Sequence, residues 1–122
     1  MKTDLQKFTD AYLEALFFAE VGGDSEIPDD AELSEETQLN IEAECRSFWR
    51  RFGCYINTET CQNAFNDTVK QAGHDFYLTR NGHGVGFWET EWPKPYRDML
   101  TKGAESYGPM EIYLGDDGLI YD

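Results

Sequence analysis

Residues 74–89 read HDFYLTRNGHGVGFWE, an aromatic-rich run on each side of Asn81-Gly82. An Asn-Gly pair between two such runs is the strongest short-range signal for a hairpin with a type I′ turn, because both central positions need positive φ. The turn predicts Leu78 opposite Val85 and Phe76 opposite Phe87 on a core face. On the other face Tyr77 pairs with Gly86 and Asp75 with Trp88. His74 then lies across from Glu89, and Arg80 across from His83.

Upstream of this run the spacing changes to that of helices. Leu5, Phe8, Tyr12, Leu16 and Ala19 fall on one face of a helix over 4–20, with Leu13 and Phe17 widening it. Thr3 is its expected N-cap and Gly22-Gly23 its stop. A loop follows, GGDSEIPDDAELS, marked by its Gly, Pro, Asp and Ser content. Ser34 opens a second helix with Glu35 and Glu36 in its first turn. Leu39, Ile41, Cys45, Phe48, Trp49 and Phe52 are expected to face inward, and Gly53 to end it. A third helix is predicted from 57 or 58 to 72, with Cys61, Phe65 and Val69 as its apolar stripe.

Downstream, Pro93 and Pro95 break the chain, and 95–106 reads as a short helix carrying Tyr96, Met99 and Leu100. Ile112 and Leu114 then run into Gly115-Asp116-Asp117-Gly118 and return through Leu119 and Tyr121, a second hairpin. The sequence therefore predicts one α+β domain over 1–122. Three N-terminal helices pack on a small antiparallel sheet of about four strands, made of two hairpins with a helix between them.

Charge narrows the function classes. The chain has 24 Asp plus Glu against 10 Lys plus Arg, a formal charge of −14. A phosphate-neutralising groove needs clustered cations, so direct nucleic-acid binding is disfavoured, as is an anionic membrane. A protein with a basic groove is the favoured partner. Between Glu20 and Glu44 the carboxylates Glu20, Asp24, Glu26, Asp29, Asp30, Glu32, Glu35, Glu36, Glu42 and Glu44 run without a single Lys or Arg. Such a run can present charges as phosphates do along a duplex strand. The simpler reading is a solvated face that keeps the protein soluble. Tyr77 and Trp88, on the mixed face of the predicted hairpin, are the expected apolar anchors for a partner.

Other chemistries fit less well. The acidic loop lacks the alternating ligands and central glycine of an EF-hand. His74, Asp75 and His83 could do acid–base work, but the hairpin would set the histidines roughly 20 Å apart at about 3.4 Å per residue. They would not share a metal. GxSxG, HExxH and P-loop motifs are missing. No catalytic residue, cofactor or metal is therefore assigned. The first twenty residues do not lay out as a signal peptide, since Asp4, Asp10 and Glu14 interrupt the apolar run. Cys45, Cys54 and Cys61, without CxxC spacing, fit reduced thiols in a cytoplasm, with Cys45 in the core.

The run from His74 to Trp88 resembles a motif of small acidic proteins carried by tailed bacteriophages and related mobile elements. The opening FTDAYLEALFFAE and the ending YLGDDGLIYD look like the same family's termini. That family brings no established activity, so no residue role is carried over. The resemblance implies expression in the cytoplasm of a bacterial host, where small acidic phage proteins often block defence or DNA-handling proteins. The expected function is a non-enzymatic inhibitor or modulator of a bacterial nucleic-acid-binding or defence protein, acting through a DNA-mimic-like surface. The alternatives are an assembly accessory protein self-associating through the aromatic hairpin, and a small His/Asp enzyme.

Overall fold

Helix α1, Asp4–Glu20, begins with a capping box: the Gln6 N–H donates to Thr3 Oγ1, and the Thr3 N–H to Gln6 Oε1. This computed structural model describes residues 1–83, 86–89 and 91–122. Among these follow β1 (Glu32–Leu33), α2 (Glu35–Ile56), α3 (Glu59–Gln62), α4 (Thr68–Arg80), α5 (Tyr96–Glu105), β2 (Tyr113–Leu114) and β3 (Leu119–Tyr121). The α+β class stands, but the sheet is three-stranded in the order β1-β3-β2, with β1 parallel to β3 and β2 antiparallel to it.

The first predicted hairpin is replaced by a helix. His74 to Arg80 form the second half of α4, which Asp67 caps by accepting from the Lys70 N–H at 3.0 Å. Asn81-Gly82 ends this helix instead of turning a hairpin. The His83 N–H donates to Leu78 O and the Gly82 N–H to Thr79 O, with Gly82 at φ 65°. These are the two bonds of a Schellman motif, which needs the same left-handed glycine that a type I′ turn would use. The expected partner of Leu78, Val85, lies outside the described residues. Phe76 and Phe87 do not face each other across strands; both stack on Phe48. His74 pairs with Glu14 rather than Glu89, and Arg80 with Glu44 rather than His83.

Other boundaries shift for local reasons. Gly53 does not end α2, because Ile56, fully buried, extends the Phe48–Phe52 stripe by another turn. The single predicted third helix is split, with Thr58 capping the short α3 and Asp67 starting α4. Ala19 and Leu39, both expected on apolar faces, are exposed. Ser34 caps α2 as expected, accepting from the Thr37 N–H at 3.1 Å.

Aromatic rings hold the helices together. Phe48 of α2 contacts five rings: Phe8, Phe52, Phe76, Phe87 and Tyr107, with Phe76 stacked at 4.2 Å between centroids. Helix α4 lies against α1 at Gly73, where an added Cβ would stand 2.3 Å from Phe8 O and 2.7 Å from Ala11 Cβ. The absent side chain lets the two backbones approach, which a helix-interior glycine otherwise only weakens.

Cys45, on the α2 face toward α1, is fully buried. Burial pushes its thiol up to about 12, against a hydrogen bond from Thr9 that lowers it. The unfolded thiol ionises near its ordinary value of 9.0, so above that pH the unfolded chain binds fewer protons than the folded one. Stability is complete below about pH 9 and falls by up to about 1.4 kcal/mol per pH unit as pH rises toward 12. Urea titrations between pH 8 and 11 should show this decline, and Cys45→Ala should reduce its slope without abolishing it, because burial also raises Cys61, Tyr12 and Tyr77. In the native protein a maleimide should modify exposed Cys54 and spare Cys45.

Candidate functional site

The buried charged residues Arg80 and Asp75 are each held by hydrogen bonds. Arg80, at the end of α4, has a side chain only 3% exposed. Its Nε donates to Gly108 O at 2.8 Å, and its Nη2 to Tyr107 O at 3.2 Å and Glu44 Oε2 at 3.3 Å. Its Nη1 donates to Glu44 Oε1 at 3.0 Å and Tyr12 Oη at 3.3 Å. Burial pulls the guanidinium down, but the bond to Glu44 and the fields of Tyr12 and Glu44 outweigh it and raise it. Burial drives the Tyr12 hydroxyl well above the ordinary tyrosine range, although Arg80 pulls it back. This clamp ties α2, α4 and the 107–108 turn together.

Asp75, also buried, accepts from Trp92 Nε1 at 2.7 Å, and both its carboxylate oxygens accept from Gln71 Nε2, at 3.1 and 3.2 Å. The indole expected over Asp75 was that of Trp88; Trp92 takes that place. His74 Nε2 sits 3.7 Å from Glu14 and His83 Nε2 3.5 Å from Glu20. His74 and Asp75 line one cavity of about 420 Å³ with Glu14, whereas His83 lies outside it beside Glu20, so the three do not converge on one site. Among the described residues no group of three or more His, Cys, Asp or Glu is placed to hold a metal ion.

Tyr77, expected to be an exposed anchor, lies in the core. It is fully buried, edge-on to Tyr12 at 5.2 Å and stacked on His83 at 5.8 Å. Burial, then the charge of Glu20, drives its hydroxyl above the usual range. As a helical residue Tyr77 faces α1, whereas in a strand it would have faced out. Trp88 is 46% exposed.

The acidic block divides in the same way. Asp24, Glu26, Asp29, Asp30, Glu32, Glu35 and Glu36 are exposed, while Glu20 and Glu42 are half-buried with Glu44. The ion pairs among the described residues draw on Asp10, Glu14, Glu20 and Glu44, leaving the exposed run from Asp24 to Glu36 out. Glu35 and Glu36 do serve the positive end of the α2 dipole.

Strand pairing adds acids that the sequence run did not include. Glu32 stands beside Leu119 in the parallel ladder, and the Ser34 N–H donates to Ile120 O at 2.9 Å. These bonds bring the acidic loop to the hairpin carrying Asp116 and Asp117. Asp117 accepts from Tyr121 Oη at 2.6 Å and from the Leu119 N–H at 3.0 Å, which hold its carboxyl below the ordinary range. The only sequence signal for this union is the Gly-Asp-Asp-Gly turn itself, since a two-residue strand has no readable period.

Beside this face lie two grooves that share β2. One, about 770 Å³, runs between the end of α1, the 21–27 loop and β2. Phe18, Tyr113 and Leu114 on its walls are 92%, 56% and 38% exposed. The other, about 670 Å³, is lined by Glu44, Arg80, Glu111 and Asp122 among others. No helix among the described residues is long and apolar enough to cross a membrane. No protein-family model matches the chain, and comparison with curated proteins and with solved structures yields no match.

Proposed function

We propose that this protein is a non-enzymatic binder that offers its acidic face to the basic, nucleic-acid-binding groove of a bacterial protein, and so inhibits or modulates it. The observation that carries this reading is the parallel β1–β3 pairing, which joins the exposed carboxylates of 24–36 to those of the C-terminal hairpin. Carboxylates left without cations by the fold keep their field for a partner, and clustering raises the rate and charge selectivity of encounter. His83 stands apart from the cavity that His74 and Asp75 line, and Asp75 is engaged by Trp92 and Gln71, which supports binding over acid–base chemistry by these three residues. The resemblance to phage-borne proteins supports a bacterial cytoplasm as the setting, with a defence or DNA-handling protein as target. Self-association through an aromatic hairpin loses its surface, since residues 74–80 are helical and Tyr77 is buried.

Immobilised protein should capture a nucleic-acid-binding protein from bacterial lysate at low salt. Duplex DNA should displace it, and so should about 1 M salt, where the screening length falls to about 3 Å. Asp24→Asn, Glu26→Gln, Asp29→Asn and Asp30→Asn combined should abolish capture while leaving the melting temperature within a few degrees. Capture that is indifferent to salt, to DNA or to these four changes would sink the proposal.

A further inference from the structure

The edge of the sheet at β2 shows how a partner segment would sit. In the order β1-β3-β2, one side of β2 has no neighbouring strand among the described residues. Tyr113 pairs with Tyr121 and the Gly115 N–H donates to Leu119 O at 2.7 Å, so Tyr113 and Gly115 turn their backbone groups toward β3. By the alternation of an antiparallel ladder, the N–H and C=O of Ile112 and Leu114 point outward. An open edge with exposed apolar side chains is a template for another strand, and this one, though only two residues long, carries no lysine or proline to guard it.

The surroundings select the chemistry of what pairs there. The charged residues lining the larger groove are Glu20, Asp24 and Glu26, all acidic. In the neighbouring groove the cation is Arg80, already bound by Glu44, beside Glu111 and Asp122. A strand laid along β2 would place alternate side chains on the Tyr113 face and on the Leu114 face, and pass between carboxylates on both sides.

We infer that β2 is the docking edge for an extended, Lys/Arg-rich segment of a partner protein. That segment adds a strand to the sheet by β-augmentation, seats an apolar residue against Phe18 and Leu114, and places its cations against the flanking acids. This inference rests on the acidic-face reading above and assigns it a binding mode: backbone hydrogen bonds supply register, and charge supplies selection.

The test uses a fluorescein-labelled peptide of alternating Lys and Val, followed by anisotropy with the full chain. A second peptide carries N-methyl groups on consecutive backbone nitrogens, so that neither of its edges can pair. Leu114→Pro removes one outward donor and spares the ladder to β3, a substitution that edge strands tolerate. The plain peptide should bind. N-methylation, Leu114→Pro and Phe18→Ser should each weaken it at least about fivefold, the worth of roughly one hydrogen bond or one apolar contact. Circular dichroism should report unchanged helix content.

If neither peptide binds, the inference is overturned, and the acidic-face reading still stands or falls on the lysate capture. If both peptides bind alike and only the four-acid variant loses them, charge alone holds the segment and the edge has no part. Concentration-dependent dimers that disappear in Leu114→Pro would instead assign the edge to a second copy of this chain. Should Leu114→Pro unfold, the N-methylated peptide against the unaltered protein decides the matter alone.

Discussion

Phe48→Ala should be the most damaging single truncation in this protein, lowering unfolding free energy by about 3–5 kcal/mol. The side chain is fully buried at the meeting point of five aromatic rings drawn from α1, α2, α4 and the chain beyond it. Rings of that size cannot collapse into the space left behind, so the cavity term adds to the lost transfer energy. In a domain of this length the change corresponds to a fall in melting temperature of roughly 10–20 °C. Leu39→Ala serves as the contrast within the same helix. Leu39 is 58% exposed, and its replacement should stay within about 0.5 kcal/mol. A Phe48→Ala protein that melts with the wild type would show that the aromatic cluster is not where the stability resides.

The second large effect belongs to Arg80. Arg80→Ala should cost about 3–5 kcal/mol, because it breaks a buried ion pair and leaves the Tyr107 and Gly108 carbonyls facing a void. Glu44→Gln should cost less, about 1–3 kcal/mol, since the Glu44 side chain is 33% exposed and the amide can still accept one bond. The asymmetry is the diagnostic. Removal of the cation orphans acceptors inside the protein, whereas neutralising the anion leaves a cation with two carbonyls and a hydroxyl still around it. A double-mutant cycle from urea unfolding measures the coupling. A cost below about 1 kcal/mol for Arg80→Ala would mean that α4 and the 107–108 turn are held by apolar packing alone.

Elements with a local chemical signature were legible before the structure. Thr3, Ser34 and Thr58 are caps where Ser and Thr precede helical runs, and Cys45 is buried. The C-terminal hairpin follows from Gly115-Asp116-Asp117-Gly118. Residues 74–80 were not legible, for a specific reason. Seven residues dense in aromatic and β-branched side chains satisfy a period of 2 as well as 3.6, and Asn-Gly supplies positive φ to either ending. What separates the readings is remote: α1 offers a face that accepts Gly73, Phe76 and Tyr77 together, and Glu44 with the 107–108 carbonyls receives Arg80. The same error misplaced Tyr77 as an exposed anchor. Exposed apolar side chains beside the acids belong instead to Phe18, Tyr113 and Leu114.

The acidity of this chain, its concentration between Glu20 and Glu44, and most helix starts are determined by the sequence alone, since charge and capping act over a few residues. The tertiary structure decided which of those carboxylates remain available and what lies next to them. Arg80 consumed Glu44, a two-residue parallel strand drew the 24–36 loop to Asp116 and Asp117, and β2 was left as an open edge between acid-lined grooves. Each of those outcomes depends on groups far apart in the chain meeting in space. Their energies are gained only once the intervening chain has been ordered, and no local pattern of residues records that.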